Sequence, residues 1–281
     1  MPAPVTAFSI TRVGAGEQRE VSDLLVTEEP LEIRLGHGPL ENRREMRLSV
    51  TMRTPGQDDE LALGFLYTEG IITDVAQVLR VEACEQVKEE ERGNVVRAEL
   101  HPGVELDPQR WQRNFYTTSS CGVCGKTSIE AVQAQCTRPL RPFGAVDPAV
   151  LTQLPERMRK AQTVFRRTGG IHAAALFDRE GNLLLLREDV GRHNAVDKVI
   201  GAALRGQLPT ADCQLLVSGR AGFELVQKCI VAGIPLMAAV GMPTSLAVQM
   251  ARQAGLTLIG FLRGDRFNVY ADPATADRPG T

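Results

Sequence analysis

The stretch Gln214-Leu-Leu-Val-Ser-Gly-Arg-Ala-Gly-Phe-Glu-Leu-Val-Gln-Lys-Cys-Ile-Val-Ala232-Gly-Ile-Pro-Leu236-Met-Ala-Ala-Val240 decides the reading of the fold. A short apolar run, Gln214 to Val217, stops at a glycine-rich turn. Helical spacing takes over from Phe223 to Ala232, and a second apolar run follows at Leu236 to Val240. The unit then repeats, with a helix predicted over Ser245 to Ala254 and a last strand over Leu256 to Leu262. Apolar runs of four to seven residues that alternate with ten-residue helices are the signature of a covered, mostly parallel sheet. The C-terminal half is therefore expected to be a three-layer α/β unit.

Upstream, His172 to Phe177, a turn at Asp178-Arg-Glu-Gly181 and Asn182 to Arg187 read as a hairpin. Asn194 to Leu204 carries apolar residues three and four apart, so a helix follows, with Gly206 as its stop. Nearer the N-terminus, Leu31 to Leu35 and Arg47 to Arg53 alternate with the period of strands that bury one face. Asp58 and Asp59, as N-cap and first-turn acid, should open a helix running through Leu61 to Thr68 and ending at Gly70. Further strands are expected near Val78 to Ala83 and Asn94 to Leu100, with the acidic run Glu85 to Arg92 as a solvated tip between them. The fold class is α/β (α+β overall). A smaller strand-rich N-terminal domain, 1–137, precedes a C-terminal domain, 138–281, whose tail after Ala271 is expected to be disordered.

Composition narrows the function. The chain has 281 residues, of which 43% are hydrophobic, enough for a sizeable core. A net charge of -2 and 5% aromatic residues give no support for a nucleic-acid surface. The N-terminus does not read as a secretory leader, and no run of about 18 apolar residues could span a bilayer. The six cysteines are scattered rather than arranged as a disulfide framework, which fits a reducing compartment, so a cytoplasmic protein without membrane attachment is expected.

The chemistry concentrates in Ser119-Ser-Cys-Gly-Val-Cys-Gly-Lys-Thr-Ser128, which follows the polar, aperiodic segment Asp107 to Ser120, read as a mobile loop. If Cys121 and Cys124 precede a helix over Ser128 to Ala134, the helix dipole and Lys126 would favour a thiolate, a nucleophile at neutral pH. Structural zinc, dithiol redox chemistry, sulfur carriage and no special role all compete for such a pair. Zinc needs two further ligands, and no second CxxC or HxxxH exists. A thioredoxin-like motif belongs in a first βαβ unit, not after a long polar loop in mid-chain. Gly125-Lys-Thr127 is not a P-loop, because Ser120 stands where the first glycine is required, and no Gly-x-Gly-x-x-Gly follows a strand.

Three segments together resemble one family: Ser120-Cys-Gly-Val-Cys-Gly-Lys126; Thr168-Gly-Gly-Ile-His-Ala-Ala-Ala175 with Glu188-Asp-Val-Gly-Arg-His-Asn-Ala-Val-Asp-Lys198; and Ser218-Gly-Arg-Ala-Gly-Phe-Glu224 running on to Gly260-Phe-Leu-Arg-Gly-Asp-Arg-Phe-Asn268. The chain is similar, over most of residues 30 to 271, to the formate dehydrogenase accessory (FdhD) family. The resemblance implies a sulfurtransferase that takes sulfur from a cysteine desulfurase as a persulfide on Cys121, with Cys124 assisting. The sulfur then passes to a molybdenum bis(molybdopterin guanine dinucleotide) cofactor, bound by a homodimer, for the benefit of formate dehydrogenase. It also implies that the guanine dinucleotide lies against Phe261, Leu262, Arg263, Gly264, Asp265 and Arg266, and that the C-terminal domain has a cytidine-deaminase-like fold. Deaminase chemistry is not expected, since Ala173 and Ala174 follow His172 and Ser120 precedes the cysteine pair. No permanent metal is expected.

Phosphates call for cations and free backbone amides, which adds Arg192 and Arg220 to the cofactor candidates, Arg220 standing at the end of a strand. Arg192 and His193 could instead orient Asp189. His172 reads as a packed histidine, Lys198 and Glu224 as residues of helix faces that form a simple salt bridge or plain helix surface, Ala247 to Met250 as core, and Cys213 and Cys229 as buried small hydrophobes. Two rival functions remain: a non-catalytic carrier of the cofactor, and a zinc-supported binding module.

Overall fold

The computed structural model describes residues 3–14, 16–104 and 140–275. The segment in which Cys121 and Cys124 are expected on a mobile loop before a helix, the expected domain boundary at 137/138, and the end of the tail lie outside the described residues.

The chain opens with a hairpin that the sequence pattern did not reveal. Strands β1 (Val5–Gly14) and β2 (Glu17–Val26) pair antiparallel along their whole length, and none of their residues is buried. With no buried face there is no apolar alternation to read.

A four-stranded sheet in the order β4-β3-β6-β5 follows, built from β3 (Glu29–His37), β4 (Arg44–Arg53), β5 (Val78–Ala83) and β6 (Val95–Leu100). Its inward residues Leu31, Ile33, Leu35, Met46, Leu48, Val96 and Ala98 close on Leu61, Ala62 and Leu66 of helix α1 (Asp58–Thr68). The expected helix is present, but its N-cap is Gln57 in a left-handed conformation (φ 54°), not Asp58. Asp58 is committed elsewhere: it takes two hydrogen bonds of 3.0 Å from the fully buried Arg53, which also reaches Gly93 O and Asn94.

The C-terminal half is a six-stranded sheet in the order β12-β11-β10-β9-β7-β8. Its strands are β7 (His172–Phe177), β8 (Leu183–Asp189), β9 (Gln214–Val217), β10 (Leu236–Ala239), β11 (Thr257–Arg263) and β12 (Arg266–Ala271). Side chains of β7 alternate between two cores. Ala174 and Leu176 face α4 (Arg192–Arg205), α5 (Phe223–Val231) and α6 (Ser245–Ala254), while Ala173, Ala175 and Phe177 face Leu151, Leu154 and Met158 of α2 (Pro148–Ala161). This is the expected three-layer arrangement, and the fold is mixed α/β.

The strands of the alternating units, β9, β10 and β11, run parallel, and β7–β8 is an antiparallel hairpin, both as expected; β7–β9 and β11–β12 are also antiparallel, so the sheet as a whole is mixed. One expectation needs correction. Strand β11 is not the last: the chain turns at Gly264 and returns as β12, whose exposed, polar first residues hid its pairing. Helix α2 and the short α3 (Thr163–Thr168) went unread as well.

The two halves meet where α1 crosses α4. A Cβ on Gly64 would stand 1.9 Å from the Asp197 carbonyl, and one on Gly201 would stand 1.9 Å from the Glu60 carbonyl, so this backbone approach requires glycine on both helices. Beside the crossing, Lys228 Nζ lies 3.0 and 2.9 Å from the two Asp197 oxygens, 2.9 Å from Thr68 Oγ1 and 3.2 Å from Glu69.

Candidate functional site

The carboxyl ends of β9, β10 and β11, the amino end of β7 and the carboxyl end of β8 gather at one edge of the C-terminal sheet, where open α/β sheets hold ligands. The loops beyond the strands continue the ladder. Val240 N donates to Val217 O at 3.1 Å, Gly241 N to Gly219 O at 3.0 Å, and Phe261 N to Gly241 O at 3.0 Å. Glycine allows this stacking: a Cβ on Gly241 would lie 3.0 Å from Gly219 O, and one on Gly260 would lie 2.7 Å from Pro243 Cδ. The outcome is a backbone shelf of three loops.

Phe261 occupies the left-handed region (φ 52°) at a break in the β11–β12 register. That conformation is uncommon and costly for a bulky side chain, and such strain gathers at functional sites. Arg263 reaches back along the shelf, its Nε donating to Val240 O at 3.2 Å. Gly264 (φ 56°), Asp265 and Arg266 form the exposed turn beyond it. Leu262 is different: it is fully buried in the core against α2, so its side chain does not face the edge.

Arg220 follows β9 and is exposed, and Arg192 is the first residue of α4. Neither has a hydrogen bond or acidic partner among the described residues. The N-termini of α4 and α5 begin at Gly191 and Gly222 without a side-chain cap, leaving their first amides available. His193 pairs with Glu224 between them, Nε2 to Oε2 at 2.8 Å.

Asp189 is not oriented by Arg192 or His193. It pairs with the fully buried Lys198 at 2.7 Å and accepts from Thr54 N (3.1 Å), Gly191 N (2.8 Å) and Asn194 Nδ2 (3.1 Å). Lys198 in turn donates to Thr54 O at 2.8 Å, and Thr54 Oγ1 accepts from Val190 N at 3.1 Å. Of the two readings open for Lys198 and Glu224, helix surface and salt bridge, each takes the second: Lys198 pairs with Asp189 in the core and Glu224 with His193. Thr54, which sequence reasoning passed over, ties the N-terminal sheet to the turn that opens α4.

His172 is half-buried at this edge. Its Nδ1 lies 3.5 Å from Ser218 Oγ, which accepts from Ala173 N at 2.9 Å. Burial lowers the His172 pKa, with the nearby Arg192 and His193 adding to the effect and Asp189 opposing it. The ring also lines a cavity of about 590 Å³ between α2, α3 and the shelf, bounded by Met158, Arg159, Phe165, Ile171 and Val190. The residue read as merely packed therefore borders open space, and the flanking Gly169-Gly170 was the sequence signal for it.

The described thiols make poor nucleophiles. Burial raises Cys213 to about 11, pushes the fully buried Cys229 higher still, and raises the half-buried Cys84. Cys121, Cys124 and Cys136 lie outside the described residues. No cluster of three or more His, Cys, Asp or Glu suited to a metal ion occurs among the described residues, and no helix there is long and apolar enough to cross a membrane.

The FdhD/NarQ family profile matches residues 26–277. A protein named sulfur carrier protein FdhD from Streptomyces avermitilis is 51% identical over 267 residues, covering 93% of this chain and 92% of its own. The protein of the same name from Mycobacterium tuberculosis is 51% identical over 259 residues, covering 88% and 90%. A solved structure from Desulfotalea psychrophila, described as a formate dehydrogenase accessory protein, superposes with a TM-score of 0.73 at 23% identity, over 96% of this chain and 97% of that one, and shares the fold.

Proposed function

Since the chain belongs to the FdhD/NarQ family of sulfur carriers, with a formate dehydrogenase accessory role, we propose that it carries sulfur as a persulfide on Cys121 to a molybdenum bis(molybdopterin guanine dinucleotide) cofactor bound at the carboxyl edge of the C-terminal sheet. The donor is a cysteine desulfurase, the beneficiary is formate dehydrogenase, and the carrier works as a homodimer in the cytoplasm. The observation that carries the binding half of the proposal is the backbone shelf, with Arg192 and Arg220, which have no acidic partner among the described residues, beside two helix N-termini without a side-chain cap. Free amides and bidentate guanidinium groups suit the phosphates of a dinucleotide. Arg263, Gly264, Asp265 and Arg266 extend the same edge, and Phe261 stands at its start in the left-handed region.

The transfer is ordinary thiol exchange. The Cys121 thiolate attacks the outer sulfur of the donor persulfide, and the donor thiolate leaves. Cys124 then attacks the inner sulfur and breaks the persulfide bond. A Cys121–Cys124 disulfide forms as hydrosulfide departs, so the two thiols lose the two electrons that the carried sulfur gains. Alternatively the persulfide ligates the molybdenum directly, since soft sulfur suits that centre. The three described cysteines, with thiols raised by burial, leave Cys121, Cys124 and Cys136 as the candidate thiols.

Incubation with a cysteine desulfurase and cysteine should add about 32 mass units, one sulfur, reversibly to the peptide bearing Cys121. Cys121→Ala should abolish both that gain and the activation of formate dehydrogenase. Undiminished activation by Cys121→Ala would reject sulfur carriage in favour of a non-catalytic carrier of the cofactor.

A further inference from the structure

Two rows of side chains cross the outer face of the N-terminal sheet, the face turned away from α1. In one row Glu45, Gly36, Glu99 and Arg80 stand opposite one another on β4, β3, β6 and β5; in the next stand Arg47, Arg34, Arg97 and Glu82. Gly36 leaves a gap in the first row, and the Glu99 carboxylate lies in it, where a Cβ on Gly36 would collide with both of its oxygens. Two guanidinium groups hold Glu99 there, Arg97 Nη2 at 2.5 Å and Arg43 Nη2. Arg43 is itself fixed by the carbonyls of Gly36, Gly38 and Leu100. Glu45 accepts from Arg97 Nη1 and Arg34 Nη1, each at 3.3 Å. Above this network lies a pocket of about 240 Å³ lined by Arg43, Arg44, Arg80 and Arg97 together with Glu45 and Glu99.

The pocket is cationic and not saturated. Four guanidinium groups face two carboxylates. Arg44 has no acidic partner among the described residues, and Arg80 has the exposed Glu82 of its own strand, at 3.1 Å. Arg97 Nε is buried without an acceptor. A surface pair of the Arg80–Glu82 kind is a weak hold, so Arg80 can turn to a better acceptor. Arg43 and Arg97, by contrast, are anchored before any ligand arrives, which lowers the ordering cost of binding beside them.

Size and rim narrow the class of ligand. The space is smaller than the pockets that enclose drug-sized molecules, so it suits a ligand of few heavy atoms. The excess of two positive charges favours a dianion over a monoanion. Leu40 and Leu79 line the same pocket and are 69% and 50% exposed, apolar surface that a short carbon chain can cover and an inorganic ion cannot. We propose that this pocket binds a small organic dianion, a short-chain dicarboxylate, gripped by Arg44 and Arg80 with Leu40 and Leu79 against its carbon chain. Planar guanidinium groups meet carboxylates through two parallel hydrogen bonds, which fits arginine rather than lysine at these positions. The pocket shares no residue with the shelf or with the cavity beside His172, so the proposal stands apart from the cofactor reading.

The test is titration of the full chain, by calorimetry and amide NMR shifts at low ionic strength, with succinate, butyrate and inorganic phosphate. Succinate should bind at one site about fivefold or more tighter than either of the others. Arg44→Ala and Arg80→Ala should each weaken succinate about fivefold or more, while Arg192→Ala combined with Arg220→Ala leaves it within about twofold. Arg44 and Arg80 are exposed, so their removal does not threaten the fold. Glu45→Gln takes a negative charge from the wall and should tighten succinate about twofold or more, a gain that a misfolded variant cannot produce. Absence of saturable succinate binding, an affinity unmoved by the Arg44 and Arg80 variants, or a loss confined to the Arg192 and Arg220 variant overturns the proposal. Phosphate bound as tightly as succinate overturns the assignment to an organic dianion.

Discussion

Replacing Lys228 with Met should cost the fold far more than any surface substitution. Lys228 and Asp197 have side-chain exposures of 6% and 3%, and the ammonium touches both carboxylate oxygens, Thr68 Oγ1 and Glu69. Burial acts to lower the Lys228 pKa, but Asp197 and Glu69 more than reverse this, so it stands above its ordinary value. Burial pushes the Asp197 carboxyl upward against the pull of Lys228. These two tendencies compete for one proton, and the close contacts to both carboxylate oxygens favour the ionised pair. Met keeps the stem and removes the charge, leaving Asp197 buried with only the Thr68 hydroxyl at 2.8 Å. Breaking a buried pair from one side costs about 3–5 kcal/mol. With a urea m-value of about 3 kcal/mol/M, the unfolding midpoint should fall by roughly 1–2 M. Adding Asp197→Leu should recover at least half of the loss, since no uncompensated charge then remains. The deficit of the single variant should also shrink toward acid pH. In the variant the buried Asp197 has lost the Lys228 charge that drew its pKa down, so at acid pH it holds a proton that the unfolded chain does not, and the variant's stability falls by about 1.4 kcal/mol per pH unit as pH rises through that window. A single variant within about 1 kcal/mol of the unaltered chain, or a double variant no better than the single, would refute this reasoning.

Other outcomes follow from the same geometry. Gly64→Ala should destabilise by about 1–3 kcal/mol or more in urea melts, because its methyl meets the rigid Asp197 carbonyl at 1.9 Å; a change below about 0.5 kcal/mol would contradict the close crossing. His172 has a lowered pKa, so on acidification the unfolded chain takes up its proton first and stability is lost as pH falls below about 6.5; thermal melts of His172→Gln should lack that part of the slope. Arg192→Ala combined with Arg220→Ala should weaken pyrophosphate at least tenfold in calorimetry and flatten the salt dependence of binding, and unchanged affinity would remove these two residues from the phosphate site. Phe261→Gly should leave melting temperature unchanged or higher, since glycine accepts φ 52° freely, whereas a marked loss would show that ring packing outweighs backbone strain.

Much of this protein was legible in the order of its residues, for a definite reason. Strands β7 to β11 and helices α4 to α6 each bury a face, so their apolar periods, glycine stops and turns appear in the chain itself. Elements that bury little escaped: the β1–β2 hairpin has no buried residue, and β12 begins in polar, exposed positions. The antiparallel run of β7 against β9 also escaped, because a period of two is the same whichever way a neighbour runs. For the site, the motifs around Cys121, His172, Glu188 to Lys198, Ser218 and Phe261 marked the family and the residues to watch. Only tertiary contact decided which of them meet. Asp189 and Lys198 are nine residues apart in the chain, yet what locks them is Thr54, delivered by the other half of the molecule. The strain at Phe261, the glycine-lined shelf and the arginine pocket over Gly36 likewise exist only where separate segments press together, and a linear pattern carries no information about that pressure.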